Sequence, residues 1–187
     1  VEALNGEYVE VEVCDPLHRP ITARYGVVDG GRTAVIEMAK ASGLPLLTAE
    51  ERNPLFTSTF GTGEMVADAL HRGCRRFLMG IGGSATNDAG TGMLRALGFR
   101  FLDSKGAELI GGGEILDKIV SIDDSAVCAE LRECEFIVAC DVTNPLYGES
   151  GAAYVFAPQK GADDIMVEQL DRGLQNFARV VAAYNGS

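Results

Sequence analysis

Apolar and polar residues alternate through the first third of the chain. Tyr8, Val9, Val11 and Val13 are interleaved with glutamates, a second apolar run covers Ile21 to Val28, and a third covers Thr33 to Met38. This period of two predicts three strands. Pro16 to Pro20 makes the first turn and Asp29-Gly30-Gly31 the second. Connections this short favour antiparallel neighbours, so the segment is expected to be a meander.

Beyond Pro45 the period changes. Met65, Val66, Ala69 and Leu70 have helical spacing, follow Thr59-Phe60-Gly61-Thr62-Gly63-Glu64 and stop near Gly73. Phe77, Leu78, Met79 and Ile81 read as a buried strand, and Met93, Leu94 and Leu97 as the inward face of a further helix. Phe136 to Cys140 is another apolar run of strand length, also expected to be buried. From Asp163 to Tyr184, Ile165, Val167, Leu170, Leu174, Phe177, Val180 and Val181 recur mostly three or four apart, which predicts a long packing helix. The sum is an α/β fold, a mixed sheet with flanking helices and an N-terminal antiparallel meander, expected as a single domain over residues 1–187.

Charge and cysteine usage narrow the function. A net charge of −11 leaves no basic surplus to neutralise phosphates, which argues against a general nucleic-acid binder. No apolar run is long enough to span a bilayer and no basic-then-apolar leader opens the sequence, so no membrane partner is expected and the cytosol is the expected compartment. Five cysteines lack any C-x-x-C pair; they read as small buried hydrophobes in a reducing compartment, without zinc or a disulfide framework. The chain opens at Val1 and is expected to be a piece of something longer.

The stretch Gly80-Ile81-Gly82-Gly83-Ser84-Ala85-Thr86-Asn87-Asp88 carries the densest chemistry. A glycine turn between strand and helix exposes unpaired N–H groups at the positive end of a helix dipole, a natural place for phosphate or carboxylate. An ordinary helix N-cap explains the same residues. The Walker pattern and its lysine are absent, but G-x-G-x-x-A is satisfied at Gly80, Gly82 and Ala85, and Asp103 closes the next apolar segment. A Rossmann-type NAD(P)-binding domain is therefore one alternative. Asp141 stands where the Phe136 run ends and can serve a metal, a proton or merely a turn. Lys160 is a lone cation in Pro158-Gln159-Lys160-Gly161. Neither histidine belongs to a triad and no G-x-S-x-G elbow surrounds Ser84, so a serine hydrolase is not expected.

Four ordered blocks extend the pattern: Asn53-Pro54 with Thr59 to Glu64; Ile81 to Gly90 with Gly92-Met93-Leu94 and Ala96-Leu97-Gly98; Cys140-Asp141-Val142-Thr143-Asn144-Pro145-Leu146-Tyr147-Gly148; and Gly151-Ala152-Ala153 with Phe156 to Gly161. In order and spacing, across nearly the whole chain, they resemble the bacterial glycerate kinases of type I. The resemblance implies ATP-dependent phosphorylation of D-glycerate with Mg²⁺, to 2-phosphoglycerate, in a two-domain enzyme whose site lies between the domains. It also implies that this chain is the central, inserted domain. The family's Asp-Ser-Phe-Lys-type, Asp-Gly-Gly-Glu-Gly-Thr and glycine-rich C-terminal blocks do not occur in it, and Val1 to Leu4 resembles the residues that come directly after the second of these blocks.

On this reading Gly82, Gly83, Ser84, Thr86, Asn87 and Asn144 contact substrate or phosphate. Asp88 or Asp141 holds Mg²⁺, Asp141 and Lys160 are the catalytic candidates, and Lys160 counters phosphate charge. The expected partners are D-glycerate, ATP and the remainder of the parent chain, with homo-oligomerisation open and the isolated chain expected to be inactive. A non-catalytic scaffold or oligomerisation domain is the other alternative.

Overall fold

The computed structural model describes Val1 and residues 5–186. Most of the Val1–Leu4 likeness, at residues 2–4, lies outside them. The strands are β1 (Glu7–Cys14), β2 (Pro20–Val28), β3 (Thr33–Glu37), β4 (Arg76–Gly80), β5 (Arg100–Leu102), β6 (Ser121–Asp123) and β7 (Glu135–Ala139). The helices are α1 (Ala39–Ser42), α2 (Phe60–His71), α3 (Thr91–Ala96), α4 (Ala152–Phe156) and α5 (Asp164–Tyr184). Among the described residues no helix is long and apolar enough to cross a membrane.

Five strands form one sheet in the order β1-β2-β3-β4-β7, and β5 pairs with β6 apart from it. The meander is antiparallel as the short turns require, with Val9 opposite Tyr25 and Gly26 opposite Val35. The sheet then turns parallel: Ala34 and Ile36 of β3 lie beside Phe77 and Met79 of β4, and Phe77 beside Phe136 of β7. Parallel neighbours need a long crossover, and α2 supplies it between β3 and β4. Its buried face of Met65, Val66, Ala69 and Leu70 packs on Ala34, Ile36, Phe77 and Met79 in the first apolar cluster. Each of the larger of these side chains, Met65, Val66 and Leu70 on the helix, contributes about 1.5–3 kcal/mol on full burial, so this helix is held by the face its sequence period marks.

A second cluster gathers around α5, where Leu170, Leu174 and Phe177 pack on Phe101, Ile115, Leu116 and Ile119. The helix starts at Asp163, whose carboxylate accepts the Met166 N–H at 2.9 Å, a side-chain N-cap. Ile165 departs from the expected face: in the first turn it points outward and is 78% exposed.

Two expectations fail in the sheet. β7 is not a buried strand but the outer one, with Phe136 and Val138 39% and 52% exposed; an apolar run of five does not say whether a second neighbour covers it. The dinucleotide reading fails as well. β5 leaves the main sheet to pair with β6, and the Asp103 carboxylate accepts the N–H groups of Lys105 and Ala107, tying its own turn. Asp103 thus does not follow a strand lying parallel beside β4, where the ribose-binding acid of a G-x-G-x-x-A turn belongs.

Candidate active site

β3, β4 and β7 run parallel, so their carboxyl ends lie at one edge of the sheet, where open α/β sheets gather ligands. The Gly80–Asp88 stretch leaves β4 there, but it does not open α3. Gly83, Ala89 and Gly90 have φ of +72°, +51° and +77°, which keeps the segment out of the helical region until Thr91. It is instead pinned to its neighbours. The Leu44 N–H donates to Gly83 O and the Ala85 N–H to Ser42 O, both at 2.9 Å, and Thr57 Oγ1 donates to Ala85 O at 2.7 Å. The loop thus does not present the N-terminal N–H groups of a helix, and of its own N–H groups these contacts engage that of Ala85.

Asp88 occupies the start of α3. Its Oδ1 accepts from Gly90 N–H, while Oδ2 accepts from Gly92 N–H, Thr59 N–H and the Thr59 hydroxyl at 2.8–3.2 Å. Thr59 Oγ1 in turn accepts the Met93 N–H at 2.9 Å. This carboxylate, 1% exposed, joins the entry of α2 to the entry of α3.

Lys160 comes to the same place from the turn after α4. Its ammonium donates to Ser84 Oγ at 2.9 Å and to Thr86 O at 2.5 Å, and the residue is 7% exposed. Burial pushes its pKa down to about 8, with the Asp88 charge acting against the fall.

Two cavities meet at this lysine and share Ile81, Ser84, Leu146, Ala152 and Lys160 in their walls. The smaller, about 290 Å³, lies among Asn87, Met38, Met79, Met93 and Leu174. The larger, about 520 Å³, lies between Gly82-Gly83 and the segment after β7, with Asp141 and Asn144 in its wall. Asn87 is 7% exposed and its Nδ2 has no hydrogen-bond partner, an unusual state for a buried amide. Asp141 is exposed and makes no side-chain hydrogen bond among the described residues, whereas Asn144 Nδ2 donates to Ser150 O at 2.9 Å.

A family model described as the Glycerate kinase family matches residues 1–187. The chain belongs to the glycerate kinase family. It is 50% identical over its whole length to a glycerate kinase of Bacillus subtilis (strain 168), covering 49% of that protein. It is 45% identical over 181 residues to a glycerate 2-kinase of Escherichia coli (strain K12), with 97% of this chain and 48% of the relative covered. A crystal structure assigned as glycerate kinase 2 from Salmonella typhimurium LT2 superimposes with a TM-score of 0.95 at 48% identity, over 98% of this chain and 49% of that one. The chain thus spans about half the length of the relatives it matches.

Three of the family blocks met in the sequence converge on the lysine: Gly82 to Asn87, Asp141 with Asn144, and Lys160 all border one or both cavities. Thr86 contributes its carbonyl to Lys160. The glycine run at 111–113 lines neither cavity; Gly113 N–H donates to Pro54 O and Glu114 N–H to Leu55 O, closing backbone on backbone. Thr59 was the residue missed: it lies in a family block, but its link to Asp88 crosses 29 positions. The methionine walls carry no sequence signal distinguishing them from core.

The donor set also separates the two magnesium candidates. Among the described residues no group of three or more His, Cys, Asp or Glu converges on one point. Magnesium suits one or two carboxylates completed by phosphate oxygens and water. Asp141 fits that pattern with an uncommitted carboxylate beside the larger cavity, whereas the oxygens of Asp88 are taken by four protein donors.

Proposed function

We propose that the protein carrying this chain phosphorylates D-glycerate with ATP, that this chain supplies one wall of the active site, and that the remainder of the protein supplies the rest. The observation that carries the reading is the Lys160 ammonium, buried, held by Ser84 and Thr86, and standing in the wall common to both cavities. A fixed cation between two ligand spaces is what phosphoryl transfer asks of a protein, since that chemistry proceeds by positioning and by neutralising charge.

In the transfer, a bond forms between a glycerate hydroxyl oxygen and the γ-phosphorus of ATP. The bond from that phosphorus to the β–γ bridging oxygen breaks, ADP leaves, and the hydroxyl proton passes to water or to a base supplied by the remainder of the protein. Lys160 faces the oxygens on which charge accumulates. Mg²⁺, which would neutralise the phosphates, would be held by Asp141. Ser84 stands in the wall common to both cavities, Gly82 and Gly83 border the larger, and Asn144 braces the segment after β7 through Ser150. The proposed product is 2-phosphoglycerate, the position given in the name of the Escherichia coli relative, and the proposed compartment is the cytoplasm.

A coupled ADP-release assay on the full-length protein, with and without D-glycerate, tests the reading. ADP release that depends on D-glycerate and falls at least a hundredfold in Lys160→Met supports it. Release that ignores D-glycerate removes the kinase reading, and D-glycerate-dependent release that survives Lys160→Met removes the lysine from the transfer.

A further inference from the structure

The two cavities differ in more than size. The smaller is faced by Met38, Met79, Met93 and Leu174 together with a set of polar residues that includes Asp88. Asp88 offers little as an acceptor, because its oxygens already receive four protein donors. What remains is the Lys160 ammonium, the one charge not already paired off, with the Ser84 and Thr62 hydroxyls and the Asn87 amide, whose Nδ2 finds no acceptor within the protein. A fixed ammonium beside hydroxyl and amide groups, in a largely apolar space, suits a small anion with an organic body. A triphosphate carries too much charge for such walls, and about 290 Å³ lies at the lower end of ligand-cavity volumes.

The larger cavity has the opposite character. It is bordered by the backbone of Gly82 and Gly83 and by the uncommitted carboxylate of Asp141. A Cβ placed on Gly82 would have no heavy atom within 4 Å, so this stretch of backbone is open to a ligand lying directly against it.

We propose that the smaller cavity binds the acceptor acid by its carboxylate, with Asn87 as the residue that recognises it, and that the larger cavity takes the phosphate chain of the nucleotide. The proposal rests on the glycerate kinase reading and sharpens it. It makes the Gly82 loop two-sided: its glycines face the phosphate donor, its Ser84 to Asn87 half faces the acceptor, and Lys160 stands between. Asn87 is then a specificity-determining residue, distinguishing an acid from its uncharged counterparts.

The test uses the full-length protein and Asn87→Asp, which keeps the side-chain shape and sets a carboxylate against the carboxylate of the substrate. The KM for D-glycerate should rise tenfold or more while the KM for ATP stays within twofold. Inhibition by D-glyceramide, the uncharged amide of the acid, should be unchanged or tighter. Asn87→Ser, which retains a smaller donor, should shift the KM for D-glycerate in the same direction by less, and it decides the matter by the same split if Asn87→Asp does not fold. If the KM for ATP rises instead, or neither KM moves, or D-glyceramide weakens as much as D-glycerate, the assignment is overturned while the kinase reading stands. Wild-type protein that fails to turn over D-glycerate overturns both.

Discussion

The Lys160 ammonium and the Ser84 hydroxyl, 76 positions apart in the chain, meet at 2.9 Å. The contact brings α4 and its following turn against the loop that leaves β4, and it fixes a buried cation where the two cavities touch. That cation and its neighbours should be measurable in rate, in stability and in ligand affinity.

Activity should fall as Lys160 loses its proton. Burial lowers the pKa to about 8, so kcat/KM for the full-length protein should decline above pH 8 as the charge that faces phosphate disappears. Lys160→Arg keeps a permanent charge, and the decline should vanish from its profile even though its peak activity is lower. A profile for Lys160→Arg that still falls near pH 8 assigns the titration to another group.

The same shift has a sign in stability. An unfolded lysine titrates near 10.5 and the folded one near 8, so between these values the unfolded chain binds more protons and stability rises with pH. Fully expressed, the effect is on the order of 3 kcal/mol, absent below pH 8 and complete above 10.5. Lys160→Met should be at least as stable as wild type at pH 7, because it removes a buried charge, and should lack the alkaline gain. Chemical denaturation at pH 7 and pH 10 measures both.

Asp88 and Asp141 should separate cleanly. Asp88→Asn turns an NH₂ group towards N–H donors and should cost about 3 kcal/mol of stability, the scale of one or two lost charge-assisted hydrogen bonds. Asp141→Asn should leave stability within about 0.5 kcal/mol, as expected for an exposed side chain without partners, while cutting turnover at least a hundredfold and raising the Mg²⁺ concentration needed for half-activity. Thermal melts paired with magnesium titrations of activity decide; normal activity in Asp141→Asn reduces that residue to its turn.

Gly82 and Gly83 provide a steric probe of the donor cavity. Gly82 lies outside the left-handed region and its added Cβ would meet nothing within 4 Å, so Gly82→Ala should melt like wild type. If phosphates lie against it, the KM for ATP should rise several-fold with no change for D-glycerate. Gly83 has a φ of +72°, and Gly83→Ala should cost about 1–2 kcal/mol of stability through backbone strain, which makes it the weaker probe of binding. An unaltered KM for ATP in Gly82→Ala removes the phosphate from this loop.

Much of this architecture is legible in the chain because its elements obey local rules. The meander follows from period-two alternation and short turns, and α2 and α5 follow from faces such as Met65-Val66-Ala69-Leu70 and Val167-Leu170-Leu174. Where the reading fails, the deciding information lies elsewhere in the chain. Whether β7 is inner or outer depends on a neighbouring strand that five apolar residues cannot announce. Asp103 follows an apolar segment as a ribose-binding acid does, yet β5 pairs with β6. The glycine loop suggests a helix entry, but Gly83 and Ala85 bond instead to Ser42, Leu44 and Thr57. For Lys160, residue chemistry alone offered one solvated cation; the spacing of the family blocks was the only sign that it belongs with Ser84.

The Asp88 carboxylate, which receives Thr59 at the head of α2 and Gly90 and Gly92 at the head of α3, makes the site mechanically dependent on how two helices nest. Gly63 on α2 lies so close to Met93 and Ala96 of α3 that a methyl group there would press on the Met93 carbonyl. Widening that seam would pull on Asp88, and through it on the stretch holding Asn87 and the carbonyl of Thr86. A substitution such as Gly63→Ala, in contact with neither cavity, should therefore register as a kinetic defect beside its loss of stability, making this helix seam a remote adjusting screw for chemistry performed on the other side of the loop.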